Sequence, residues 1–175
     1  MPPKAKEAGE LPYGQLPILY VDGKRLAQSL AISEWCARQA GLVPAESFEQ
    51  AKVFEVVQFV TQDVRERIVA PTMREPDAAK KAEQRKKVND ETLPAKLAVL
   101  EGMVGSSGFL VGETLTMADL HFYCFANWVG MEVLDGITKE CILASPKLTA
   151  LVRTLNDTPA IKQWNAEKNP KLPWC

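Results

Sequence analysis

PYGQLPILYVDGKRLAQSLAI, residues 12 to 32, decides how the whole chain is read. Leu16 to Val21 is an apolar run of strand length, and Asp22-Gly23 is the kind of dipeptide a two-residue hairpin loop demands. Lys24 to Leu26 starts a second short strand. Helical spacing then takes over: Ser29 precedes LAISEWCARQAGL, in which Ile32, Trp35, Cys36 and Gln39 recur three and four apart. Gly41 stands where such a helix would stop, because glycine closes a helix in a left-handed conformation at least cost. The stretch predicts strand, turn, strand, helix.

Working outward, the pattern after residue 43 is helical throughout. Val53, Val56, Val57, Val60, Val64 and Ile68 mark one face of a long amphipathic helix, which Pro71 would end. A second runs from about Ala78 to Val104, with Leu93, Leu97, Leu100 and Val104 as its stripe and Pro94 as a kink. Gly105 to Gly108 breaks the chain. The third helix carries the clearest start signal, Thr116 as N-cap with Asp119 as its reciprocal partner. Its body, ADLHFYCFANWVGMEVL, is apolar nearly all round, which predicts a central position in a bundle. Ser145-Pro146 and Thr158-Pro159 each read as an N-cap followed by proline at the first helical position. The tail, NPKLPWC, reads as irregular. The fold class expected is α/β plus all-α, with one domain over residues 1–43 and an all-helical one over 44–175.

Composition narrows the function classes. Of the 175 residues 46% are apolar and 25% charged, and the net charge is -1, which fits neither a disordered chain nor a membrane protein. The basic cluster from Lys80 to Lys87 is interrupted by Glu83 and flanked by Asp77, Asp90 and Glu91, so it reads as a solvated helix face and implies no nucleic-acid partner. Apolar stretches fall short of the roughly 20 residues that span a bilayer, and MPPKAKEAGEL lacks the apolar core of a signal peptide, so no membrane partner and a cytoplasmic location are expected. Cys36, Cys124, Cys141 and Cys175 form no C-x-x-C pair and read as reduced, mostly buried thiols. His121 is the sole histidine, too few for a typical catalytic metal site, so no metal is expected. With Cys124 three residues on in the same apolar helix, both read as packing residues.

The order of elements, with Gly14-Gln15-Leu16-Pro17 before a strand, the Asp22-Gly23 hairpin and the Gln28-Ser29 pair opening a helix, closely resembles the glutathione S-transferases, and among them the sigma-like class. FLVGETLTMADLHFY, residues 109 to 123, resembles that family's helix-capping motif. The resemblance covers essentially the whole chain. It implies part of a thioredoxin-like, glutathione-binding N-terminal domain, here a two-stranded hairpin and a helix, followed by the helical-bundle C-terminal domain. It also implies glutathione as co-substrate, a hydrophobic electrophile as second substrate, a role in detoxification and a homodimer.

The resemblance assigns a glutathione-binding set. The Leu16 backbone, ahead of a cis bond into Pro17, pairs with the cysteinyl part, as an extended peptide pairs with a strand edge. Gln28 and Ser29 hold the γ-glutamyl end, where the free N–H groups of a helix start attract a carboxylate. Gln15 is a neighbouring contact. Asp63 reaches across the dimer interface toward the glutamyl amino group, a carboxylate for an ammonium. Arg65 and Arg67 lie near the family's variable second-substrate pocket.

In the family a strand, helix and strand precede the G-Q-L-P element, and the catalytic tyrosine or serine ends the first strand. Only Met1 to Gly14 stands before Gln15 here, so the resemblance implies that this segment is missing, and no catalytic residue is assigned. Tyr13 holds the aromatic position before G-Q and reads as structural; Lys4 and Lys6 match the family's contacts to the glycyl end by type alone. Two function classes stay open: a glutathione transferase conjugating electrophiles, and a non-catalytic glutathione-binding or scaffolding protein of the same fold.

Overall fold

The computed structural model describes residues 11–168; expectations about Lys4, Lys6, Cys175 and the tail 169–175 lie outside them. The chain divides into two compact units, one up to Pro44 and one from Ala45.

In the first unit, β1 (Ile18–Val21) pairs antiparallel with β2 (Lys24–Ala27), in the register Ile18↔Ala27, Leu19↔Leu26, Tyr20↔Arg25 and Val21↔Lys24. Asp22 (φ 48) and Gly23 (φ 76) both take positive φ, the combination of a type I′ loop, whose twist matches that of the flanking strands. Helix α1 (Ser29–Gln39) follows. It closes with Leu42 N–H donating to the Ala37 carbonyl and Gly41 N–H to that of Arg38, a Schellman motif that Gly41 permits at φ 69.

The second unit is helical: α2 (Ser47–Gln58), a π-helical segment Phe59–Val69, α3 (Ala70–Arg74), α4 (Ala78–Lys87), a second π segment Val88–Thr92, and α5 (Leu93–Met103). Then come α6 (Met117–Gly130), α7 (Glu140–Leu143), α8 (Pro146–Asp157) and α9 (Pro159–Lys168). Its core gathers Leu93, Leu97, Phe122, Ile142 and Leu148, all fully buried.

The π segments correct the sequence reading at two points. A wider turn moves the inward position along, so the stripe through Val60 and Val64 continues at buried Val69, with Ile68 only half-buried. Pro71 does not end the helix; it falls in the first turn of α3, where its missing N–H costs little. Pro94 lies just inside α5, directly after the second π segment, and a widened turn relieves the clash a proline ring makes with the carbonyl four residues back.

Helix α6 buries ten of its fourteen residues and so takes the central place its composition predicts. It stops at Gly130, short of the apolar run that continues to Leu134, and Glu132 turns to φ 53 just beyond. Thr116 and Asp119 form the expected capping box. Asp119 is fully buried and accepts hydrogen bonds from Leu110 N–H and Thr116 N–H, both at 2.8 Å, and from the Thr116 hydroxyl at 3.0 Å. Burial pushes its carboxyl above the ordinary aspartate value, and those bonds oppose the shift. The loop 110–116 is thus tied to the start of α6.

Ser145 precedes α8, but its side chain does not cap the helix. Glu101 of α5 does so instead, accepting from Lys147 N–H at 2.8 Å and Leu148 N–H at 2.9 Å. A buried network joins α6, α8 and α9: the Tyr123 hydroxyl donates to Asn156 Oδ1, and Asn165 Nδ2 donates to the Tyr123 oxygen at 2.7 Å. The cysteines depart from the buried reading. Cys36 and Cys124 are exposed, because α1 buries only Ala37 and Cys124 lies on an open face of α6. Cys141 alone of the three is buried, which pushes its thiol up to about 11.

Candidate functional site

The site lies at one end of the hairpin. Because Ile18 and Ala27 are the terminal partners of the two strands, the residues just before β1 and just after β2 share that end. Leu16 and Pro17 lead into Ile18, and Gln28 and Ser29 lead out of Ala27. A two-residue loop in fixed register therefore brings together two segments that are eleven positions apart, counting from Pro17 to Gln28. Gln15, Leu16, Pro17, Gln28 and Ser29 are all exposed. Leu16, at 56% exposure, is a large apolar side chain left uncovered within the described residues. The peptide bond between Leu16 and Pro17 is cis.

Gln28 has φ 74 and ψ 118, a conformation an L-residue adopts at a cost of about 1–3 kcal/mol. Such a backbone is not helical, so α1 begins at Ser29 itself, and Gln28 takes the flanking position expected for Ser29. The Gln28 carbonyl already accepts the Ile32 N–H at 2.9 Å, while its side chain makes no capping bond to the helix. The N–H groups of Ser29, Leu30 and Ala31 come before the first intrahelical donor, at the positive end of the helix dipole. Exposed donors of this kind suit a carboxylate.

Asp63 belongs to the other unit. Its carboxylate is half-buried and bound by Arg67, one turn on in the same π segment. Tyr13 is 65% exposed. Among the described residues no three His, Cys, Asp or Glu side chains are grouped so as to hold a metal ion, and no helix is long and apolar enough to cross a membrane.

A cavity of about 260 Å³ lies within the helical unit, and Arg65, which the resemblance sets near the family's second-substrate pocket, lines it while Arg67 does not. Val60, Thr61 and Arg65 of the first π segment face His121, Cys124, Phe125 and Trp128 of α6 across it. Taken as packing residues from an all-round apolar helix, His121 and Cys124 in fact line an opening. The signal was faint: the spacing of His121, Cys124, Phe125 and Trp128 marks one helix face, but nothing in the pattern says that the opposing helix widens there.

The comparisons agree with this architecture. Residues 62–168 match the family model for the glutathione S-transferase C-terminal domain. Glutathione S-transferase 1 of Ascaris suum is 30% identical over 169 residues, covering 93% of this chain and 78% of the relative. The hematopoietic prostaglandin D synthase of Gallus gallus is 30% identical over 173 residues, 97% of this chain and 79% of the relative. Among solved structures, the prostaglandin synthase D of Nilaparvata lugens superposes with a TM-score of 0.81 at 27% identity, covering 96% of this chain and 80% of that one. The chain belongs to the glutathione S-transferase family, and its relatives place it with the sigma-like class.

Proposed function

We propose that the unit up to Pro44 binds glutathione and that the protein, where the family's catalytic segment is present, conjugates it to hydrophobic electrophiles in detoxification, working as a cytoplasmic homodimer. In this reading residues 1–43 belong to a thioredoxin-like glutathione-binding domain, and 44–175 form the helical domain. The tripeptide lies along the Leu16 backbone beside Pro17, with Gln15 as a neighbouring contact. Its γ-glutamyl carboxylate meets the N–H groups at the start of α1, next to Gln28 and Ser29. Asp63 serves the glutamyl ammonium of the partner's glutathione, which requires Arg67 to share that carboxylate.

The observation that carries the reading is the hairpin register, which sets exposed Leu16-Pro17 beside exposed Gln28-Ser29. The costly backbone of Gln28 supports it, since strain of that kind gathers where a ligand is held. Retention on immobilised glutathione, followed by a conjugation assay with a chloronitroaromatic substrate, tests it. Retention is expected, with turnover where the family's catalytic segment is present. Retention without turnover would favour the non-catalytic glutathione-binding or scaffolding alternative, and failure to be retained would overturn the site itself.

A further inference from the structure

Helix α9 is attached differently from its neighbours. Of its ten residues Asn165 alone is buried, whereas α8 buries six of twelve and α6 ten of fourteen. Ile161 is half-buried and Trp164 is 59% exposed, with Lys168 Nζ 6.0 Å from the centre of its ring. The polar contacts at its surface hold little. The bond from Gln163 to Glu167 lies within the helix, and Lys162 stands 4.0 Å from Asp157 with both side chains mostly exposed, a pair that contributes almost nothing.

What closes α9 onto the bundle is one amide. Asn165 Nδ2 donates to the Tyr123 oxygen at 2.7 Å and, more weakly, to Asn156 Oδ1 at 3.4 Å, while the Tyr123 hydroxyl donates to that same Asn156 oxygen. All three side chains are buried. Such a clasp opens more cheaply than an apolar face of the same size: each polar group regains water when the helix lifts, whereas a parted apolar face meets water at a cost. A hinge is in place as well. Between α8 and α9, Thr158 is extended at φ -63 and ψ 123. Its N–H and its hydroxyl are both tied to α8, donating to the Leu155 and Thr154 carbonyls at 3.1 Å. The residue before α9 is thus anchored independently of the clasp.

We propose that α9 is a strap, closed by the clasp of Tyr123, Asn156 and Asn165, that swings open about Thr158 as one unit while the rest of the bundle stays folded. Opening uncovers the Tyr123 hydroxyl and the Asn156 side chain between α6 and α8. Elements with few buried apolar contacts open well below the free energy of global unfolding. The inference goes beyond the glutathione reading, since every residue it uses belongs to the helical unit.

Native-state hydrogen exchange of the whole chain, followed segment by segment, tests it. In the unaltered protein the amides of α9 should exchange as a block, about 100-fold or more faster than the protected amides of α5 and α6. Val57→Ala, which opens a void in the core at α2, should speed those slow amides about tenfold and leave α9 unchanged, because the strap opens without parting the core. Tyr123→Phe should speed α9 about tenfold by removing the oxygen that receives Asn165. Asn165→Ala cuts the same clasp from the α9 side and should match it. Exchange of α9 as slow as that of α6, an equal acceleration of α9 and the core by Val57→Ala, or an α9 rate that neither clasp variant changes would each overturn the proposal.

Discussion

The hairpin with α1 and the helix α6 use their residues in opposite ways. From Ile18 to Gln39 one side chain, Ala37, is fully buried, whereas α6 buries ten of fourteen. In the first region the informative residues set backbone conformation: Asp22 and Gly23 turn the chain, Gly41 closes the helix, and Gln28 is held at φ 74. In the second they fill space and satisfy buried polar groups. A segment that keeps its side chains at the surface while fixing its backbone is suited to meeting a ligand, and a fully packed helix is suited to holding a fold together.

The contrast is broken most strongly in α6. Phe122→Ala removes a fully buried ring from the centre of the bundle and should cost about 3–5 kcal/mol in denaturant unfolding. A loss under about 1 kcal/mol would mean that α6 is not central. Asp119→Ala comes next, at about 2–3 kcal/mol, because it orphans the Leu110 and Thr116 N–H groups in a buried setting. Hydrogen exchange should show the loop 110–116 opening before the helices do.

Glu101→Ala should cost about 1–2 kcal/mol by uncapping α8, and a Ser145→Ala change should cost clearly less. The reverse order would restore the cap to Ser145. The smallest effect has the opposite sign: Gln28→Gly relieves an unfavourable φ and should raise stability by up to about 1 kcal/mol while weakening retention on glutathione. A fall in melting temperature would show that Gln28 is held by contacts that outweigh its backbone cost.

Local rules made much of this legible. Asp22-Gly23, Gly41, the Thr116 and Asp119 box and the prolines at 146 and 159 each act within a few residues, and each structure they signal is present. What escaped the sequence depends on distant partners or on helix pitch. Glu101 caps a helix that starts 45 residues later, so Ser145-Pro146 looked sufficient. The valines from 53 to 64 fit an α pitch, and only the burial of Val69 in place of Ile68 reveals the wider turn. The glutathione-binding set came from a family resemblance; what the structure adds is the register that sets Pro17 beside Gln28. The cavity beside Arg65 needed coordinates, because its walls come from two helices far apart in the chain.

The most direct test is the affinity for glutathione, by calorimetry, of the chain and of the double variant Gln28→Ala, Ser29→Ala. The account predicts saturable binding by the chain, a loss of at least about tenfold in the variant from removing two polar contacts to a charged group, and unchanged thermal unfolding. Equal affinity in the two proteins, or no binding by either, would contradict it.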